Sequence, residues 1–158
     1  MTLPSQEHLE HALDVAYRFL GSRDRTVAEV RGRLESGDID PDVVEAAIEE
    51  LTHMGYLDDA RYAQRFAEDR RTIDAWGAER IERRLVAVGV DRAHIAAALG
   101  ERGAAEELEA AVAVLRRRFA QAPAGDRDRD RALGLLVRKG YDLELAYDAI
   151  RAYERDAA

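Results

Sequence analysis

LESGDIDPDVVEAAI, Leu34–Ile48, is followed 51 residues later by LVAVGVDRAHIAAAL, Leu85–Leu99, and after a further 51 by LVRKGYDLELAYDAI, Leu136–Ile150. Four columns align without a gap: Leu34, Leu85 and Leu136; Asp40, Asp91 and Asp142; Ala47, Ala98 and Ala149; Ile48, Leu99 and Ile150. A fixed period of this length marks an array of like supersecondary units. Each Asp stands just before an apolar-periodic run, where its carboxylate can accept from the free N–H groups of a helix's first turn, and Pro41 follows the first at a position where its missing N–H costs nothing. The Ala and Ile/Leu columns come two helical turns later and share a buried face. The Leu column belongs to the preceding helix, which Gly89 and Gly140 end with a left-handed residue; Gly37 is expected to do so in the first copy, one position early.

A longer amphipathic helix precedes each pair. Thr26, three residues before Glu29, has the form of a capping box opening the middle helix of the first copy. Asp58 is placed to cap the first helix of the second copy, where Ala63, Phe66, Ala67 and Arg70 form a stripe; Leu108, Ala111, Val112, Leu115 and Phe119 form its counterpart in the third. Tyr56, Leu57, Tyr62 and Phe66 read as core. The run APAGDRDRDR, Ala122–Arg131, reads as a solvated linker between the first two helices of copy three. The expected fold is all-α: three tandem three-helix repeats, residues 1–57, 58–103 and 104–158, sharing apolar surface as a stacked, curved, solenoid-like rod.

Composition agrees with helices: 35% charged residues, 6% aromatic and 3 Pro. The absence of cysteine removes disulfides and thiolate sites, as a reduced cytoplasm permits. Glu7, His8, Glu10, His11 and Asp14 interrupt the N-terminal apolar residues, so no signal-peptide core is expected, and no stretch approaches a membrane span. A cytoplasmic location is therefore expected.

Chemistry-bearing motifs are scarce. The 11 glycines form no phosphate-cradling cluster, thiol catalysis lacks its residue, and His8 and His11 share a helix face without a third ligand. His53 and His94 stand apart. No catalytic residue, metal or cofactor is expected. Charge is more informative: net charge is -8, yet the middle helices carry Arg31 and Arg33, then Arg80, Arg83 and Arg84, then Arg138 and Lys139 beside Arg127, Arg129 and Arg131. Such residues can form a recurring positive stripe for an acidic groove or a nucleic-acid backbone, unless neighbours such as Glu79 and Glu82 neutralise them. The third helices are acidic, with Asp42, Glu45, Glu49 and Glu50 in the first and Glu144 and Asp148 in the last. That argues against a homeodomain-like arrangement in which the last helix enters the major groove.

GYLDDARYAQRFAEDRR, Gly55–Arg71, followed by Gly77, Arg80, Ile81, Leu85 and Gly89, resembles the central signature of the RecX family of recombination regulators. ALDVAYRFLGSRDRTVAEVRGRLE, Ala12–Glu35, is similar to that family's first repeat, and RALGLLVRKGYDLELAYDAI, Arg131–Ile150, to its last. The resemblance implies three three-helix repeats and a non-enzymatic negative regulator of RecA. Such a protein binds the RecA filament on DNA and reduces its ATPase, strand exchange and coprotease activities in DNA repair and the SOS response. It implies RecA as partner, weak DNA binding and no membrane; a monomer is expected. Asp58, Asp59, Arg61, Arg65 and Arg70 match the signature. With Arg80, Arg83, Arg84, Arg138 and Lys139 they make up the candidate partner-binding set, though Asp58 also reads as a cap and Arg61 and Arg65 as partners of acidic neighbours. The alternative function is a helical-repeat protein acting directly on DNA; an inert helical scaffold is a third.

Overall fold

In the computed structural model, which describes residues 5–158, nine helices and no strand are found among the described residues. Met1–Pro4, the start of the stretch whose acidic breaks argue against a signal peptide, lie outside them. The helices are α1 (Gln6–Leu20), α2 (Val27–Glu35), α3 (Pro41–His53), α4 (Asp59–Asp74), α5 (Ala78–Ala87), α6 (Arg92–Leu99), α7 (Ala104–Arg118), α8 (Asp126–Lys139) and α9 (Leu143–Ala157). They recur as threes, and the aligned columns fall where the period requires. Leu34, Leu85 and Leu136 are fully buried in α2, α5 and α8, and Ala47, Ala98 and Ala149 are buried in α3, α6 and α9. In the fourth column Ile48 and Ile150 are buried while Leu99 is only half-buried, at the end of the short α6.

Contacts divide the chain into two compact units, one comprising the chain up to Ala63 with Leu85–Ile95, the other Gln64–Arg84 with Ala96–Ala158. The core of the first lies among α1, α2 and α3, where Ala12, Ala16, Val30, Leu34, Val44, Ala47 and Leu51 meet. The second centres on α7, α8 and α9, with Ala111, Leu115, Ala132, Leu136, Tyr141 and Ala149.

The capping box predicted for α2 is present: Thr26 Oγ1 accepts from Glu29 N at 3.1 Å, and Glu29 Oε1 accepts from Thr26 N at 3.1 Å. Its hydroxyl does more, donating to the Val88 carbonyl at 2.6 Å. This is the C-terminal end of the next repeat's middle helix, α5. The second unit repeats the arrangement in register: Gly77 N donates to the Lys139 carbonyl at 2.8 Å and Glu79 N to Gly140 O at 2.9 Å, at the end of α8. In both, the positive end of one middle helix meets the negative end of the next, as their dipoles favour. A carboxylate from the following repeat's first helix completes each junction. Asp59 Oδ1 accepts from Val27 N and Glu107 Oε2 from Ala78 N, both at 3.0 Å.

Four expectations are corrected. The left-handed residue after α2 is Asp38, with φ 56°, whereas Gly37 has no positive φ; Asp38 is the true register equivalent of Gly89 and Gly140. Asp tolerates that region because its short side chain can bond locally. Asp142 caps α9 by accepting from Leu145 N at 3.3 Å, but Asp40 makes no side-chain cap bond to α3. Tyr56 is 52% exposed, packed edge-on to Tyr17, while Leu57 is buried. Lastly, DRDRDR is not a loop: it forms the first turns of α8. Asp126 and Asp128 suit a helix N-terminus, and Arg129 is held by a two-bond pair with Glu154.

Candidate partner-binding site

Asp58 and Asp59 open α4, and both carboxylates are engaged. Asp58 Oδ1 accepts from Arg61 N at 3.0 Å, so Asp58 is the predicted cap. Asp59 is the junction residue bonded to Val27. Within the first unit the two lie in a cleft of about 530 Å³ with Arg31, Asp91 and His94. Burial raises the Asp59 pKa above its ordinary value, Asp91 and Asp58 add to the rise, and the Val27 N–H and His94 oppose it. Arg31 is neutralised by Glu45 through bonds of 2.8 and 3.2 Å, which in turn lowers the Glu45 pKa.

The α4 arginines divide. Arg61 donates to the Gly55 carbonyl at 2.8 Å rather than to an acidic neighbour. Arg65 is exposed and forms no ion pair among the described residues. Arg70 pairs with Asp74 and stands 5.8 Å from the Phe66 ring centre and 5.9 Å from that of Trp76. It therefore holds the end of α4 together.

On α5, Ile81 and Leu85 are buried, and Arg80, Arg83 and Arg84 fall within an arc of about 100° around the helix. Arg80 lies 4.1 Å over the Trp76 ring and donates to the Arg138 carbonyl at 3.1 Å, bringing the end of α8 against α5 within the second unit. Arg83, Arg84 and Arg138 are exposed; among the described residues none of them is in an ion pair, so Glu79 and Glu82 do not neutralise them. Lys139 Nζ donates to the Asp74 carbonyl at 2.8 Å and is partly buried. Of the ten candidates, then, Asp58, Asp59, Arg61, Arg70, Arg80 and Lys139 have structural partners, while among the described residues Arg65, Arg83, Arg84 and Arg138 offer unpaired charge. No described group of His, Asp and Glu has the arrangement of a metal site.

Three participants carry no sequence signal of their own. Trp76 supplies the ring that organises Arg80 and Arg70. Glu107, at the α5 N-terminus, also pairs with Arg102 at 2.9 Å. Arg71 donates to the Leu99 carbonyl at 3.1 Å, and burial lowers its pKa, with the Arg102 charge adding to the effect. Glu107 and Arg71 depend on pairings 29 and 28 residues away, which spacing within one helix does not encode.

Family models described as the first and second RecX three-helix domains match residues 12–51 and 58–99. Regulatory protein RecX of Mycobacterium avium is 33% identical over 152 residues, covering 94% of this chain and 87% of that protein. Its counterpart in Deinococcus radiodurans is 34% identical over 149 residues, or 92% of this chain and 70% of the relative. A longer relative from Lactobacillus delbrueckii subsp. bulgaricus is 39% identical over 90 residues, so the match spans 33% of that protein's length. In fold, the chain is similar to the crystal structure of RecX from Lactobacillus salivarius, with a TM-score of 0.83 at 20% identity, covering 96% of this chain and 99% of that one.

Proposed function

Because the chain belongs to the RecX family, we propose that it is a non-enzymatic negative regulator that binds RecA and its filament on DNA. In this reading it lowers the filament's ATPase, strand exchange and coprotease activities in DNA repair and the SOS response. The observation that carries it is the pair of unpaired arginines on α5, Arg83 and Arg84, beside which Arg80 joins the helix to exposed Arg138 on α8. Unpaired surface guanidinium groups are already free to meet carboxylates on a partner, and Arg does so with two parallel bonds. Regulation by such contacts requires no bond-making step, only occupancy of a surface that the filament or its partners use. The overall charge of -8 favours an acidic protein patch met locally over nucleic acid met through bulk charge.

The test is RecA ATPase on single-stranded DNA titrated with this protein, beside a DNA-binding control without RecA. Inhibition well below saturation of the DNA is expected. Arg83→Glu with Arg84→Glu is the informative variant, since Arg80 is tied to Trp76 and its loss would mix packing with recognition. That variant should keep its helicity and weaken inhibition about tenfold or more. No inhibition by the parent protein, together with DNA binding that falls steeply with salt, would replace this reading with direct DNA binding.

A further inference from the structure

A second site lies in the second unit, apart from the α5 arginines. The end of α4, the C-terminal half of α7 and the face of α8 enclose a cleft of about 310 Å³. Its floor is aliphatic: Ala75, Val114 and Leu135, with Ile73 at the edge, 68% exposed. Its rim is cationic, formed by Arg117, Arg118 and Lys139. Arg116, on the same turn of α7, is paired with Asp156 at 2.6 Å, but among the described residues Arg117 and Arg118 are in no ion pair. Asp74 also lines the cleft, and its carboxylate is already occupied by Arg70. One wall is fixed in advance, because Lys139 Nζ holds the Asp74 carbonyl at 2.8 Å and the Tyr141 hydroxyl holds the Ala75 carbonyl at 2.9 Å.

These features select an occupant. The volume is at the low end for ligand clefts and suits one side chain rather than a cofactor. Among the described residues the walls hold no aromatic ring on which a nucleobase could stack, which single-stranded nucleic acid generally uses. Aliphatic floor and cationic rim together match an apolar side chain flanked by carboxylates. We propose that this cleft docks an acidic peptide segment of a partner protein, which inserts one aliphatic side chain against Val114 and Leu135 while its carboxylates meet Arg117, Arg118 and Lys139. Docking here goes beyond the proposed function and does not depend on RecA being the partner.

The experiment is fluorescence anisotropy with the full chain and a short fluorescein-labelled peptide that carries one Leu flanked by Asp and Glu. Saturable binding is expected, and replacing the Leu by Ser should weaken it about tenfold, since burying a Leu side chain contributes that much. Arg117→Glu with Arg118→Glu should abolish binding at unchanged helicity. Ile73→Asp, at an exposed position that folding hardly uses, should weaken it independently. The proposal is overturned by equal affinity for the Leu and Ser peptides, by tighter binding of labelled oligothymidylate than of the peptide, by indifference to both variants, or by no binding of the Leu peptide.

Discussion

Asp38, Gly89 and Gly140 occupy one register position, and all have positive φ, at 56°, 84° and 101°. The two glycines have a second reason to lack a side chain: a Cβ on Gly89 would sit 2.3 Å from Ala28 Cβ, and one on Gly140 2.3 Å from Arg80 Cβ. Gly140→Ala is therefore expected to lower stability by at least about 2 kcal/mol, read as a drop in Tm, because steric overlap adds to the cost of a left-handed residue. Ala75, at φ 57° after α4, presents the opposite case. Ala75→Gly should stabilise by up to about 1 kcal/mol by removing that conformational cost, less the entropy glycine adds to the unfolded chain; a lower denaturation midpoint would contradict the strain. Asp59 makes a pH prediction. Its folded pKa is raised, chiefly by burial, so the folded state binds more protons than the unfolded chain just above the ordinary value of 3.8. The stability it contributes is greatest below that value and declines as pH rises through the folded pKa. Asp59→Asn keeps an oxygen for Val27 N–H without the charge. It should flatten this slope and leave the neutral-pH midpoint no lower than the parent's, as denaturant titrations across pH would show.

Helices, rather than single residues, are the most legible level of the sequence, because the 51-residue columns set which faces of each second and third helix are buried and where each third helix begins. Caps and apolar stripes are local in sequence, and their chemistry works locally. Structure departs from local pattern where other forces compete. DRDRDR looks like a linker by composition, but acidic residues at a helix N-terminus and the Glu154 partner make it helical. Tyr56 belongs to a run of apolar residues, yet the left-handed turn at Gly55 leaves it exposed. Junction contacts were invisible, since Thr26 and Val88 lie 62 residues apart. Thr26→Ala removes both the cap and that buried bond, and leaves the Val88 carbonyl without its hydroxyl donor. A loss of about 2–3 kcal/mol is expected in chemical denaturation. Gly77→Ala, whose Cβ would stand 2.5 Å from Gly140 O, should cost comparably at the equivalent junction of the second unit. Tolerance of both changes would mean that the junctions are incidental to folding.

For the molecule as a whole, the candidate set was legible as a list of charges but not as a division of labour. Sequence alone cannot tell that Arg70 and Arg80 serve an aromatic ring while Arg83 and Arg84 form no ion pair among the described residues. That division makes a functional prediction. Asp58→Asn or Arg70→Ala should act on RecA inhibition only through stability, whereas Arg83→Glu with Arg84→Glu should act on inhibition at unchanged Tm. Plotting residual ATPase against Tm for these three variants separates the two classes. If inhibition tracks Tm for all of them, the exposed arginines have no special part.

Trp76 is the chain's single tryptophan, half-buried beneath Arg80 and directly following the Ile73–Ala75 wall of the aliphatic cleft. Its emission is thus a built-in optical gauge for both surfaces, needing no label. An event at the arginine face changes the cation over the ring, and an event in the cleft changes the backbone next to it. A shift in wavelength or intensity on titration with RecA, and a separate one with the acidic peptide, would let the two sites be followed in a single unmodified sample.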